Sequence, residues 1–214
     1  MAISTYAELL AAGANWLARD DLTLRYPEFI ALFEAKANRT LFHPRMETRT
    51  TLTVNTLAAD PEFLDLPTNF QTIRMVRLPD ETGKPRLQFM SQTQMDDYRY
   101  SRDNVSGTPV YFTIVGDQIE LAPTPNEDMD VEVLYRANIP ALTASNTTNW
   151  LLTIAPDAYL YGMLLEASPY IQNDERISLW ATGLQTVMDQ LNSLAERQSF
   201  DSGPSTVSLP GVCP

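Results

Sequence analysis

The stretch from Trp150 to Trp180, WLLTIAPDAYLYGMLLEASPYIQNDERISLW, constrains the fold of this chain more than any other part. Between Pro156 and Ile171 the sequence is apolar on almost every side of a helix, and such a helix must be covered on every side. Its sixteen residues are too few to span a bilayer, and two acids interrupt them, so the cover is expected to be protein rather than lipid. The pattern predicts subunit contacts, and the candidate inter-subunit packing residues are Tyr159, Tyr161, Leu164 and Leu165.

Two further helices are predicted before residue 48. Thr5 and Glu8 have the spacing of a capping box, which predicts a helix over residues 6–18. Pro27 suits the first position of a second helix, where its missing N–H costs nothing, and Pro44 ends that helix.

A last helix is predicted after Asn173 or Asp174, either of which can cap it. Its apolar residues recur at alternating spacings of three and four, which is the seam of a helix that packs on another helix. The partner is either the helix at 156–171 of the same chain or a helix of another subunit. The seam residues are Ile177, Trp180, Leu184, Val187, Leu191 and Leu194.

Between residues 49 and 136 the period changes to the alternation of strands. Strands are predicted near 50–54, 70–78, 86–90, 110–115, 118–121 and 131–135. Gly116 can adopt the positive φ of a type II′ turn, so 110–121 is the clearest hairpin. Ser91 and Gln94 again have capping-box spacing and predict a short helix at 95–100.

The order helices, strands, helices predicts an α+β fold. A helical bundle core is expected from residues 1–48 and 141–199, with an antiparallel β region inserted at 49–140. Residues 200–214 contain three prolines, two glycines and no periodicity, and are expected to form an extended arm.

Charge and cysteine content exclude several classes of protein. A net charge of −12 argues against general affinity for nucleic acid, which requires clustered Lys and Arg. From Asp117 onward thirteen acids face three arginines, which indicates either solubility or a functional acidic surface. The lone Cys213 cannot form an internal disulfide, and no signal or membrane segment is apparent, so we expect synthesis in the cytoplasm and no membrane partner.

Catalytic signatures are missing from the sequence. His43 is the one histidine, which excludes zinc sites built on His pairs, and neither a phosphate-binding glycine loop nor a nucleophile elbow occurs. We therefore predict no enzyme activity, no cofactor and no metal. The densest basic group indicates a solvated β surface or a zone of ion pairs between subunits, and consists of Arg74, Arg77, Lys84 and Arg86.

The opening TYAELLAAGANWLARDD, the hairpin IVGDQIELAPTP and the stretch 150–180 together resemble the head–tail adaptor proteins of tailed bacteriophages. The resemblance implies a structural virion protein that forms a ring, typically of twelve copies, beneath the portal. Its partners would be the portal protein, a neck or tail protein below the ring, and phage DNA that passes without specific binding. Before assembly the chain would reside in the host cytoplasm. The alternatives are a neck stopper or tail-completion protein and, from another class, a host-side hydrolase.

Two site hypotheses follow from this resemblance. The first is a portal-docking arm whose anchors are Phe200, Val207, Leu209, Pro210 and Val212. The second is a set of acids that face a central channel and repel DNA phosphates, because like charges interact over about 8–10 Å at physiological salt. These acids are Glu120, Glu127, Asp128, Asp130, Asp189 and Glu196.

Overall fold

The computed structural model describes residues 3–19, 21–79, 85–102, 105–171 and 175–200, except for the side chains of 199 and 200. The described residues form six α-helices, namely α1 Tyr6–Leu17, α2 Tyr26–Thr40, α3 Gln92–Ser101, α4 Trp150–Ile154, α5 Pro156–Glu166 and α6 Arg176–Phe200. Seven strands are β1 Glu47–Val54, β2 Phe63–Asp65, β3 Phe70–Arg77, β4 Gln88–Phe89, β5 Tyr111–Val115, β6 Gln118–Ala122 and β7 Met129–Ala137. The α+β class is confirmed.

The chain divides into two compact units. Unit 1 takes the described residues of Met1–Met46 and Ile139–Pro214 and is helical, whereas unit 2 is Glu47–Asn138 and contains all the strands and α3.

Both predicted capping boxes are present. The Thr5 hydroxyl accepts from the N–H of Glu8, whose carboxylate accepts from the N–H of Thr5 in return, and α1 begins there. Ser91 and Gln94 make the equivalent pair at the start of α3, which is longer than predicted. Pro27 lies in the first turn of α2, as expected. The proposed caps of the last helix, Asn173 and Asp174, lie outside the described residues.

Helix α5 is the centre of unit 1, where it contacts α1, α2, α4 and α6. Burial is therefore spread around the helix, as its sequence requires. The seam of α6 packs on α5 of the same chain, which settles the choice between the two partners predicted for it, except that its last residue, Leu194, is 46% exposed. Gly162 of α5 faces the ring of Phe33 on α2, so these two helices approach closely.

A polar network crosses the core of unit 1. The hydroxyl of Tyr159 donates to Oε1 of Glu34 at 2.9 Å and accepts from Nδ2 of Asn149 at 2.6 Å. The N–H of Leu142 also donates to Oε1 of Glu34, at 2.9 Å. Burial raises the pKa of the Glu34 carboxyl, although both of these donors act in the opposite direction. The network links α2, the segment before α4, and α5.

Unit 2 consists of two sheets that share one apolar core. Sheet A has the order β1-β7-β3, and sheet B has the order β2-β6-β5-β4. All strand pairs are antiparallel except β4 with β5, which is parallel and corrects the purely antiparallel expectation. The predicted hairpin joins β5 to β6, and Gly116 has φ +60° at its turn. The three-residue strand β2 was missed because it is too short for alternation to show.

Replacing Gly162 with alanine tests the close approach of α2 and α5. Alanine normally stabilises a helix interior by roughly 0.5–1 kcal/mol relative to glycine. Here the added Cβ would overlap the buried ring of Phe33, so we expect a loss of about 1–3 kcal/mol in the free energy of unfolding. Chemical denaturation measures the change. Gly107→Ala is the control, because its nearest neighbour would be the Pro123 Cβ at 4.0 Å; a stabilised Gly162→Ala variant would contradict the packing described.

Candidate functional site

Two of the four residues predicted to pack between subunits belong to the core of unit 1. Tyr159 and Leu164 are both 0% exposed, covered by the other helices of the same unit. The prediction is therefore wrong for these two residues, because the chain itself supplies the cover that an all-round apolar helix needs.

The other two residues of that set, Tyr161 and Leu165, are partly exposed. The ring of Tyr161 meets Trp16 of α1 edge-on, with 6.2 Å between the ring centroids. Leu165 lines a groove on the surface of unit 1. An inter-subunit contact stays a prediction for Tyr161 and Leu165.

We call this groove the α2–α6 groove, since these two helices form its walls; its volume is about 360 Å³. Its floor is apolar and its rim polar, with Lys36 on one wall and Asp189 on the other. Asn192 ties the walls together, because its Oδ1 accepts from the N–H of Phe42 at 2.9 Å and its Nδ2 donates to the carbonyl of Thr40 at 3.3 Å. The floor residues are Phe33, Leu165, Leu184 and Met188.

Large apolar side chains are also exposed on unit 1, and of these only Leu194 carries a prediction from the sequence, as a seam residue of α6. Leu24 is 91% exposed at the turn between α1 and α2. Leu32 is not on the buried face of α2, which contains Phe29 and Phe33. An apolar residue that departs from the helical period in this way was the sign in the sequence that Leu32 is exposed. Apolar residues that are exposed singly are normal on a protein surface, and a contiguous apolar patch is what marks a contact with other proteins. The other large apolar residues exposed in this unit are Trp16, Phe42, Ile154, Tyr170, Leu179 and Leu194.

Glu120 does not face a channel. It is 4% exposed on the outer face of β6, and its Oε1 accepts from Nε of Arg99 on α3 at 2.8 Å. The same guanidinium donates to Thr124 Oγ1 at 3.0 Å and to the carbonyl of Leu121 at 2.9 Å. The prediction rested on the acidity of the chain after Asp117 and did not indicate that α3 covers Glu120. The prediction for Glu120 is corrected to a structural ion pair.

The other five acids of that set remain exposed or partly exposed, as the predicted channel role requires. Asp128 accepts from the backbone N–H and the hydroxyl of Thr56 at 2.8 and 2.6 Å, and these hydrogen bonds lower its pKa. Asp130 accepts from the Thr53 hydroxyl at 2.8 Å. The acids are divided between the units, with Glu127, Asp128 and Asp130 in unit 2 and Asp189 and Glu196 in unit 1.

Arginines on sheet A form ion pairs within the chain. Oε1 of Glu132 lies 3.2 Å from Nε of Arg49 and 2.7 Å from Nη2 of Arg77. Arg74 pairs with Glu47 at 3.3 Å, and Arg86 is exposed. Burial, and secondarily the charge of Arg74, lowers the pKa of Arg136.

The predicted arm lies almost entirely outside the described residues. Phe200 is the last residue of α6, and Val207, Leu209, Pro210 and Val212 lie beyond it, so their portal role stays a prediction. Lys84 of the basic group also lies outside the described residues.

His43 serves the packing of unit 1. Its ring stacks on Trp150 with centroids 5.1 Å apart, and its Nδ1 accepts from the N–H of Arg45 at 3.2 Å. Burial, and then the charge of Arg45, lowers its pKa. Within the described ranges, no group of His, Cys, Asp and Glu could hold a metal ion. None of the helices described is long and apolar enough to cross a membrane.

Removing Arg99 tests the burial of Glu120. Arg99→Met leaves a buried carboxylate without its cation, so we expect a loss of about 3–5 kcal/mol in unfolding free energy. The double variant Arg99→Met/Glu120→Met removes both charges and should recover most of that loss. Urea denaturation compares the three proteins; equal losses in the single and double variants would contradict the pairing.

Similarity to known proteins identifies the family of this chain. None of the curated proteins matches the chain. The model of the SU10 adaptor protein family matches residues 4–208, which is nearly the whole chain. This family is structural and not enzymatic, and its members act in the head–tail region of the virion. The chain therefore belongs to the SU10 adaptor protein family and is a structural head–tail adaptor of a bacteriophage.

Proposed function

We propose that this adaptor forms a closed ring, of twelve copies, beneath the portal and joins it to the next neck or tail protein. A ring is built from heterologous contacts, so each subunit must present two different complementary faces. The observation that carries the proposal is the surface of unit 1, where the apolar-floored α2–α6 groove coexists with exposed apolar residues elsewhere.

Tyr161 and Leu165 contribute to this contact between subunits. Leu165 lies on the groove floor, so an apolar side chain of a neighbour that enters the groove would cover it. Burying a side chain of that size contributes roughly 1.5–3 kcal/mol. Leu24 and Leu32, which are exposed on the same unit, are candidates for the entering residue.

The ring surrounds a channel for DNA, and exposed carboxylates face it. Negative charge along the wall repels phosphates within about 8–10 Å at physiological salt, so DNA passes without binding. The proposed channel acids are Glu127, Asp128, Asp130, Asp189 and Glu196, which are exposed or partly exposed.

The segment that follows α6 docks on the portal. Each apolar anchor contributes roughly 1.5–3 kcal/mol when buried, whereas ordering the backbone costs about 1–2 kcal/mol per residue. One arm therefore gains little by itself. When all the arms of one ring bind the same portal, each bound arm raises the effective concentration of the others. Binding is therefore strong when the ring is complete.

Co-sedimentation with purified portal rings of the same virus tests this function. The full-length chain should sediment with the portal, and a chain truncated after Gln198 should remain largely in the supernatant. Circular dichroism of the truncated chain checks that it is folded. Failure of the full-length chain to bind would overturn the adaptor proposal, whereas equal binding of both chains would overturn the role of the arm.

A further inference from the structure

Three arginines lie along one edge of sheet A. Arg74 and Arg77 are on β3, and Arg86 lies directly opposite Arg77 in an antiparallel bridge beside that strand. We call these three residues the arginine ridge. Like charges directly opposite one another on paired strands destabilise the pair, so this arrangement has a cost in the isolated subunit.

Glutamates nearby do not balance the ridge. Glu132 pairs with Arg77 but is shared with Arg49, and Glu47 pairs with Arg74. Arg86 is exposed and has no side-chain partner in the part of the chain that the structure describes. Among the residues that the structure describes, the ridge therefore keeps an excess of positive charge, in a chain whose net charge is −12.

An acidic cleft of about 400 Å³ borders the opposite edge of the same sheet. Residues 51–55 of β1 and its following turn form one side, and residues 58–65 form the other. Asp60 and Asp65 both line it, and Phe63 contributes an aromatic ring. One oxygen of Asp65 accepts from Gln118 Nε2 at 2.8 Å, while Asp60 is exposed and has no side-chain partner among the described residues.

The strand order places the ridge and the cleft on different sides of unit 2. Sheet A has β1 at one edge and β3 at the other, with β7 between them. A contact between the β3 edge of one copy and the β1 edge of the next is heterologous, which is the geometry that generates a ring.

We propose that the arginine ridge of one copy docks on the Asp60–Asp65 cleft of the next, with Arg86 entering the cleft. This inference rests on the proposed ring and identifies one of its contacts. A guanidinium presents a planar fork of donors that matches a carboxylate in two hydrogen bonds, and it also stacks on aromatic rings. Asp60, Asp65 and Phe63 supply these groups. The carboxylates of the neighbour would offset the repulsion between Arg77 and Arg86.

Charge reversal in the full-length chain tests the contact. Arg86→Glu and Asp60→Arg should each raise the concentration needed for ring formation by about tenfold, because each places like charges face to face. The double variant Arg86→Glu/Asp60→Arg places opposite charges there again and should return to within about threefold of the natural chain. Sedimentation velocity over a concentration series measures assembly, both alone and with purified portal rings.

Matched controls separate this contact from net charge and from folding. Arg45→Glu before β1 and Asp97→Arg on α3 change the charge equally at exposed positions that line neither the cleft nor the α2–α6 groove, and should leave assembly unchanged. Thermal melting should be unchanged for Asp60→Arg and the control variants, and no lower for Arg86→Glu, which removes the repulsion from Arg77. Single variants that assemble normally, or a double variant that is no better than the singles, would overturn the ridge-to-cleft contact while the ring itself stands. A natural chain that forms no ring, alone or on the portal, would overturn both proposals.

Discussion

The burial of helix α5 against four other helices is the constraint on which unit 1 depends. Residues 156–166 leave no polar face, so the helix is stable in water only when other elements surround it. Helices from both parts of unit 1 supply that cover, namely α1 and α2 from before residue 47 and α4 and α6 from after residue 138. Segments more than a hundred residues apart in sequence must therefore meet in one core.

Because the segments before residue 47 and after residue 138 form one helical core, unit 2 is an insertion between them in the sequence. Residues 47–138 enter and leave between α2 and α4, and form their own core between two sheets. Polar and charged residues on the outer faces of those sheets are consequently available for ion pairs, with α3 covering part of sheet B through Arg99. A structural adaptor can then use the helical unit and the β unit for different contacts.

Much of the fold could be predicted from local sequence patterns. Capping boxes at Thr5 and Ser91, the turn at Gly116 and the seam of α6 depend on neighbours within a few residues or on a simple period, so the sequence alone predicted them. Short or irregular pieces such as β2 and the parallel pair of β4 with β5 have no such local signal, because tertiary pairing alone defines them.

The surfaces were harder to predict for a physical reason. The sequence showed that α5 needed cover, but not that the same chain provides it at Tyr159 and Leu164. The acidity of the chain after Asp117 likewise indicated that Glu120 could face a channel, without indicating that α3 covers it. Whether an outward side chain is covered depends on elements distant in sequence, so the assignment of interface and channel residues required the fold.

The central claim is that this adaptor acts as a closed ring attached to the portal. Electron cryo-microscopy of the full-length chain bound to purified portal rings, reconstructed without imposed symmetry, tests it most directly. The account predicts twelve copies in one closed ring, with a continuous channel lined by carboxylates. Isolated copies scattered on the portal, or an open arc with no contact between neighbouring subunits, would contradict it.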